Sequence, residues 1–285
     1  MRILITGAGG FLGGSLLEAL RARGRSAVVG LDKRPGPGLL RADLRRPKEA
    51  LAALRRARPD AVFHLAGGTH AAWPKLWEAH VLSTYGLLEA LRSLPPRSRP
   101  RVVLAGSAHE HAPKDAYGWS KLCQSQLALA YVPMGVEVVV ARLSNLVGPG
   151  LPERHALSSF CRQAALIEAG RLSELSARGS LASGRDFVDV RDACRALLAL
   201  ARKGEPGTAY DVCSGRTTRV SEALRLLQGL AKRPLAVRAK APCAPADRMR
   251  VSPAALRKRT GWKPRFTLRE SLRALLDDWR GRIGS

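Results

Sequence analysis

The sequence predicts an α/β protein in which a doubly wound parallel sheet carries a smaller mixed α/β lobe. Three observations predict it. Arg2 to Thr6 is a short apolar run that turns directly into a glycine loop, Gly7-Ala8-Gly9-Gly10-Phe11-Leu12-Gly13-Gly14, and then into the helix-periodic stretch Ser15 to Arg23. Strand-like and helical runs alternate through the first half, the pattern of a parallel sheet covered on both faces. Near residue 210 a further strand-like segment, Ala209 to Cys213, completes that sheet, while the alternation weakens over the rest of the second half. With 285 residues the chain can bury a large core as one domain or as two closely joined lobes.

Strand, glycine loop and helix in that order make a phosphate-binding turn. Gly7, Gly10 and Gly13 lie three apart, where missing side chains permit a tight turn, close approach of backbone to a pyrophosphate, and close helix packing. The next strand, Ser26 to Leu31, ends in Asp32, 19 residues beyond Gly13. A carboxylate there holds both ribose hydroxyls and repels a 2′-phosphate, which favours NAD(H). Lys33 and Arg34, directly after it, could accept that phosphate, which keeps NADP(H) open. Asp43-Leu44 closes a short third strand, a place for adenine to rest. After an arginine-rich helical run from Lys48 to Arg58, Pro59-Asp60 breaks the chain and Ala61 to Ala66 forms the next buried strand. Its end, Leu65-Ala66-Gly67, sits at the carboxyl edge where ligands collect in doubly wound sheets. A long helix over 73–94 is stopped by Pro95-Pro96, and the strand Arg101 to Ala105 delivers Ser107 to its carboxyl end.

Ten residues beyond Ser107 stands Tyr117-Gly118-Trp119-Ser120-Lys121. A tyrosine and a lysine four apart on a helix share a face, so the ammonium can sit beside the phenol and favour its anion. That pairing draws a group that ordinarily titrates at about pH 10 toward acid/base work near neutrality. Alone, a Tyr-x-x-x-Lys is commonly a surface pair and a serine leaving a strand commonly a turn residue. Standing together behind a glycine loop, Ser107, Tyr117 and Lys121 form a candidate catalytic group. His109, Glu110 and His111 follow Ser107 in a loop, but no further ligands accompany them, and no metal is expected.

In the second half the strand Val136 to Ala141 runs into the turn-rich segment Arg142 to Gly150. Arg185, in Arg185-Asp186-Phe187-Val188-Asp189-Val190, is the candidate anion clamp here, because a guanidinium holds phosphate oxygens through two parallel hydrogen bonds. The alternative is a surface ion pair with Asp186 or Asp189. A helical stretch reaches Arg202, a Pro- and Ala-rich loop spans Arg233 to Ala246, and an amphipathic helix from Thr267 to Arg280 closes the chain.

A formal charge of +25 and a pI near 11.3 would ordinarily raise nucleic acid as a partner. Yet the arginines are scattered through helical segments, and aromatics at 5% leave little for base stacking, so nucleic acid is not the expected partner. The same excess of charge attracts a phosphorylated substrate. No apolar run reaches the roughly 18 residues of a membrane-spanning helix, and the opening residues enter the glycine loop too soon for a signal peptide. A cytoplasmic protein with no membrane partner is expected. Cys123, Cys161, Cys194, Cys213 and Cys243 are odd in number and lack any Cys-x-x-Cys, so they read as core fillers.

Together these residues resemble the extended short-chain dehydrogenase/reductase family, in its branch that modifies nucleotide sugars. The resemblance covers nearly the whole chain. It rests on the Gly7/Gly10/Gly13 loop, Asp32, Asp43-Leu44, Leu65-Ala66-Gly67, Ser107, Tyr117 with Lys121, the Arg-x-x-Asn-x-x-Gly-Pro run from Arg142 to Pro149, and the run from Arg185 to Asp192. The second half, including Ile167 to Gly170, Gly204 to Gly207 and Val212 to Gly215, is most similar to the family's reductases of GDP-4-keto-6-deoxymannose.

The resemblance implies a Rossmann-type dinucleotide-binding domain over residues 1–147, completed by about 186–213, and a substrate-binding lobe over 148–285. Phe11 and Leu12 would give backbone amides to the pyrophosphate, Asp32 would bind the adenosine ribose, and Leu44 would wall the adenine. Lys121 would hold the nicotinamide ribose and lower the pKa of Tyr117, the general acid or base. Ser107 would hydrogen-bond the reacting sugar oxygen, with Asn145 and Arg185 on the nucleotide diphosphate and His109 near the sugar. A homodimer packed through the helices at 73–94 and 117–131 is implied as well. The chain departs from the family at His80 and Ser83, where Asn-Val-x-Gly-Thr is usual, at Ala116 in place of proline, and at His111-Ala112 in place of Tyr-Gly. Family dehydratases carry acidic residues directly after the serine or threonine; Ala108 and His109 stand there, which disfavours dehydration.

The activity so implied is NAD(P)H-dependent reduction of a nucleotide-linked 4-keto-6-deoxyhexose carried by GDP or dTDP. The alternative is a nucleotide-sugar 4-epimerase, which uses the same three residues, takes its hydride back and holds NAD tightly. A non-catalytic dinucleotide- or nucleic-acid-binding module is a third reading, against which the intact Ser107, Tyr117 and Lys121 speak.

Overall fold

Strands buried on both faces read as unbroken apolar runs, and the first half of this chain supplies several. The computed structural model describes residues 1–24, 27–69, 71–177, 179–239 and 251–284. Ser26, Cys243 and residues 240–246 of the expected Pro- and Ala-rich loop therefore lie outside the described residues. The chain divides into two compact units: Met1–Leu143 with Cys194–Val212 and Ala254–Trp262, and Ser144–Ala193 with Cys213–Pro253 and Lys263–Ser285.

In chain order the strands are β1 (Ile3–Thr6), β2 (Val28–Asp32), β3 (Leu39–Arg41), β4 (Ala61–His64), β5 (Arg101–Ser107), β6 (Val138–Leu143), β7 (Asn145–Val147), β8 (Leu175–Ala177), β9 (Gly184–Asp189), β10 (Ala209–Val212), β11 (Thr217–Arg219) and β12 (Val237–Ala239). The first unit holds a seven-stranded sheet in the order β10-β6-β5-β4-β1-β2-β3. Every pairing in it is parallel, which makes it a Rossmann-type doubly wound sheet. Its helices are α1 (Phe11–Arg21), α2 (Pro47–Ala57), α3 (Trp73–Trp77), α4 (Ser83–Arg92) and α5 (Ala116–Ala130). The core joins Leu4, Val62, Val102, Leu104 and Val140 of the sheet to Leu54 of α2 and Leu87, Leu88 and Leu91 of α4.

Several boundaries differ from the sequence reading. Helix α1 starts at Phe11, because Gly10 already serves as its N-cap. Asp43-Leu44 lies beyond β3 and forms a turn rather than ending a strand. The helix expected over 73–94 is three pieces: α3, a π-helical turn at Glu78–Leu82, and α4. The extra residue per turn in that segment rotates His80 into a buried position. Residues Ala108–His111 form a 3-10 turn, not a loop, because Ser107 and Glu110 build a capping box around it.

The second unit is built from short pieces. β7 pairs parallel with β9, which pairs antiparallel with β11, and β8 pairs parallel with β12. β12 falls inside the segment expected to be a loop; a strand of three residues is too short to show a period. Its helices are α6 (Ala156–Glu168), α8 (Val220–Gln228) and α10 (Leu268–Gly284), while α9 (Ala254–Thr260) and most of α7 (Val190–Lys203) belong to the first unit. Among the described residues no helix is long and apolar enough to cross a membrane.

Candidate active site

The glycine loop is shaped by contacts that only glycine allows. Gly7 has φ +68°, and a Cβ there would stand 2.7 Å from the backbone of Ala66. A Cβ on Gly13 would stand 2.2 Å from the carbonyl oxygen of Gly7, so α1 packs against its own loop at backbone distance. The helix begins with no side-chain cap and no acidic residue in its first turn. Its N-terminal amides, those of Phe11 and Leu12 among them, and its positive dipole end are thus left to an anion.

Beside this turn runs a groove of about 690 Å³, its open mouth included. Gly7, Gly10, Asp32, Lys33, Arg34, Asp43, Leu44, Leu65, Ala66 and Gly67 line it, joined by Arg45, Glu78, Ala79 and Ser83, to which the sequence alone assigns no place in the lining. Phe11, Leu12 and Gly13 form the first turn of α1 rather than the lining itself. Asp32 accepts the Gly9 amide at 3.1 Å and the Arg34 amide at 3.0 Å, with the Arg34 guanidinium 4.0 Å away, so one carboxylate both anchors the glycine loop and faces the groove. Arg45 grips Asp43 at 2.6 Å and Glu78 at 2.6 Å; its hydrogen bond to Asp43 holds that carboxyl below the usual range. A phosphate-ready helix end, an acid at the end of β2 and an apolar wall at Leu44 fit a dinucleotide.

At the end of β5, Ser107 is buried, its hydroxyl accepts the His109 amide at 3.3 Å, and its side chain acts on the Tyr117 phenol so as to favour the anion. Tyr117 sits in the first turn of α5, whose N-cap Asp115 accepts the Gly118 amide at 2.8 Å. Two histidine rings stand edge-on to it, His80 at 5.7 Å and His109 at 5.6 Å between centroids. Burial raises the pKa of this phenol; the Ser107 side chain opposes that, and the negative charges of Glu110 and Asp115 add to it.

The Lys121 ammonium donates to the Ala105 carbonyl at 2.5 Å and to Gln124 Oε1 at 2.6 Å, and the pKa of Tyr117 is raised overall rather than lowered. A neighbour one turn along α5 and a strand carbonyl compete for the cation, and sequence spacing shows neither. Burial brings Lys121 itself down to about 8, with Glu110 pulling the other way.

Three polar side chains behind this group, Gln124, His80 and Glu110, have partners that sequence spacing does not show. Gln124 donates to Thr84 Oγ1 at 2.9 Å, and His64 bridges Thr84 at 2.9 Å to Thr6 at 2.8 Å, so a buried chain links Lys121 to β1. His80 Nε2 accepts the Gly68 amide at 3.2 Å while its Nδ1 meets Ser120 Oγ at 2.8 Å. Because the Ser120 hydroxyl donates to the Tyr117 carbonyl at 2.9 Å, it accepts from His80, and that network assigns the proton to Nδ1. Burial, with Lys121 nearby, lowers His64 to about 3 and His80 to about 2, so both rings stay neutral at ordinary pH. The third, Glu110, backs Ser107 directly.

In the second unit a cavity of about 720 Å³ is lined by Asn145 and Arg185 together with His155, Ser180, Ser183 and Phe187. The ion pair considered for Arg185 does not form. Asp189 pairs with Arg191 at 2.7 Å, and Asp186 accepts the Ser214, Gly215 and Arg216 amides. Arg185 keeps one hydrogen bond, to the Gly184 carbonyl at 3.1 Å, and Asn145 donates to the Asp186 carbonyl at 3.2 Å.

Comparison with known proteins gives this arrangement its lineage. The chain is 33% identical to GDP-6-deoxy-D-mannose reductase of Pseudomonas aeruginosa, over 99% of this chain and 98% of that one. It is 30% identical to dTDP-6-deoxy-L-talose 4-dehydrogenase (NAD(P)(+)) of Kitasatospora kifunensis, over 96% of this chain and 94% of that one. Among solved structures, RMD from Pseudomonas aeruginosa complexed with NADPH matches with a TM-score of 0.85 and 32% identity, covering 99% of this chain and 100% of that one. Residues 3–213 match the NAD dependent epimerase/dehydratase family, and with the glycine loop, Ser107, Tyr117 and Lys121 in place the chain belongs to that family, the extended short-chain dehydrogenases/reductases.

Proposed function

We propose that the protein is an NAD(P)H-dependent reductase of a nucleotide-linked 4-keto-6-deoxyhexose, carried by GDP or dTDP. The observation that carries this reading is Ser107, Tyr117 and Lys121 in a chain similar over nearly its whole length to GDP-6-deoxy-D-mannose reductase of Pseudomonas aeruginosa. A phenol that keeps its proton can protonate a carbonyl oxygen, and burial favours that form of Tyr117. Ser107 polarises the C4 carbonyl and Tyr117 delivers the proton to its oxygen. Lys121 holds the nicotinamide ribose from beneath this pair. When bound, the nicotinamide supplies the hydride to carbon. The glycine turn takes the pyrophosphate, Asp32 the adenosine ribose and Leu44 the adenine. Asp32 favours NAD(H), and Lys33 and Arg34 leave NADP(H) open. In the second unit, Asn145 and Arg185 take the nucleotide diphosphate, since Arg185 retains donors for phosphate oxygens. His109, edge-on to Tyr117, borders the sugar.

The reading carries a homodimer. Trp73, Leu82 and Tyr85, between 41% and 45% exposed, and Trp119, 49% exposed, leave large apolar side chains on the helices at 73–92 and on α5, which supports packing of the dimer through them. Sedimentation at a monomer mass would remove this part. A nucleotide sugar and a nicotinamide cofactor are metabolites of the cytoplasm, and the enzyme is placed there.

The deciding experiment follows loss of NADH or NADPH absorbance against GDP- and dTDP-4-keto-6-deoxyhexoses made in situ, with Tyr117→Phe as control. Stoichiometric loss that stops in Tyr117→Phe, with cofactor binding kept, is the expected result. No net loss, together with NAD released on denaturing the purified protein, would replace the reductase with a 4-epimerase.

A further inference from the structure

Glu110 is buried directly behind Ser107. Its side chain has no solvent exposure. One oxygen accepts the Ser107 amide at 2.6 Å and the Ser125 hydroxyl at 3.0 Å, and the other accepts Arg142 Nε at 3.0 Å. Three elements around the reacting centre therefore converge on one carboxylate: the end of β5, the middle of α5 and the end of β6. The fit is tight enough that a Cβ on Gly106 would stand 2.6 Å from the same oxygen. We propose that Glu110 is a positioning residue of the reaction: its side chain fixes Ser107 against Tyr117 by tying the end of β5 to α5 and to Arg142 of β6.

A capping box alone does not require this. Glutamine closes such a box as well as glutamate, and needs no arginine behind it. A buried carboxylate is costly to desolvate, and Arg142 offsets that cost in part. What glutamate adds is its charge. That charge acts on both titrating members of the site: it raises the pKa of Tyr117 and opposes the lowering of Lys121. The groups facing Tyr117 are Glu110 from the 3-10 turn, Asp115 at the start of α5, Lys121 further along it, His80 from the π turn, and His109. His80 stays neutral, so the carboxylates of Glu110 and Asp115 set the field. In the reductive direction such a field favours the donor form of the acid. This step rests on the reductase reading; the placement of Glu110 does not.

The test needs no substrate. Tyrosinate absorbance is followed through alkaline pH in the free protein, in Glu110→Gln and in Arg142→Gln, each also in a Tyr117→Phe background so that the difference isolates this phenol. Glu110→Gln should ionise Tyr117 at lower pH, and Arg142→Gln, which leaves the carboxylate without its counter-ion, at higher pH. Opposite shifts support the proposal. No shift in either variant, shifts of the same sign, or shifts that survive Tyr117→Phe overturn it. If Glu110→Gln does not fold, an upward shift in Arg142→Gln still decides in favour, and its absence against. With substrate, Glu110→Gln should lower kcat about tenfold at unchanged cofactor KM, the size of one weakened charge-assisted hydrogen bond. Opposed shifts in a protein that reduces no keto sugar would keep Glu110 in this role and remove the reductase.

Discussion

The groove of the first unit and the cavity of the second are made of different material. The groove is framed by backbone: a glycine turn, strand ends, and a helix whose first amides lack a side-chain cap. The cavity is framed by side chains, with Asn145, His155, Ser183 and Arg185 contributed by short strands and the loops between them. A backbone-framed site recognises what every dinucleotide shares. A side-chain-framed site recognises what distinguishes one nucleotide sugar from another. It follows that the groove is broken by adding a methyl group, and the cavity by removing a charge.

The largest effect expected in this comparison comes from Gly13→Ala. Its Cβ meets the Gly7 carbonyl at 2.2 Å and no flexible side chain can yield, so α1 has to back away from its loop. Cofactor affinity should fall about a hundredfold by equilibrium binding, the scale of several displaced pyrophosphate contacts, while the nucleotide-sugar KM stays within about twofold. Unaltered cofactor affinity would mean that the groove is not framed by backbone.

Arg185→Met is the converse. The side chain keeps its apolar stem and loses its donors, so the nucleotide-sugar KM should rise about thirtyfold with cofactor affinity unchanged, as expected for charge-assisted hydrogen bonds. A drop in kcat at constant KM would move Arg185 out of substrate binding.

The difference between the two sites also explains what could be read in advance. Gly7, Gly10, Gly13 and Asp32 have fixed spacing because covalent geometry links a strand, a turn and a helix, and the sequence displays that spacing directly. Tyr117 and Lys121 share a helix, so their common face was legible; where the ammonium points was not, because the Ala105 carbonyl comes from a different strand. The roles of Glu110 and His80 were hidden for a related reason: besides the Ser107 amide three residues back, Glu110 bonds Ser125 and Arg142, and His80 bonds Gly68 and Ser120, all 12 or more residues away. In the second unit β7, β8, β11 and β12 have three residues each, less than two full alternations, so the period that betrays a strand never develops.

Acidity gives a third way to sharpen the contrast, through Lys121 of the first unit's catalytic group. Lys121 is brought down from its ordinary range to about 8 by burial. Below that pH it is charged and holds its two acceptors as a cation; as the pH rises through about 8 the charge is lost. The kcat of reduction should therefore be level on the acid side and fall on the alkaline side, to about one tenth at one unit above the midpoint. No acid limb should arise from His64 or His80, whose values of about 3 and about 2 keep them neutral. Lys121→Arg, with a cation that does not titrate, should flatten the alkaline limb, and a limb that stays in place would assign it to another group.

The smallest effect is expected at His80→Asn, which restores the residue usual in the family. His80 joins two structures that a shorter side chain cannot both reach: the Gly68 amide, next to the groove-lining Gly67, and Ser120, whose hydroxyl holds the Tyr117 carbonyl. An asparagine amide can keep either link, through its oxygen to Gly68 or its nitrogen to Ser120. The choice has a kinetic signature. Keeping Ser120 and releasing Gly68 loosens the groove wall, and cofactor KM should rise about threefold at constant kcat, the cost of one neutral hydrogen bond. Keeping Gly68 and releasing Ser120 frees the first turn of α5, and kcat should fall by a similar factor at constant KM. The π turn at Glu78–Leu82 favours the first outcome, because it sets residue 80 under α5 while the Gly67-Gly68 segment is loop. Since His80 is neutral throughout the working range, either outcome should leave the alkaline midpoint where Lys121 sets it. A moved midpoint would show that His80 acts on the lysine, and that the wall of the groove and the acidity of the catalytic group are one system.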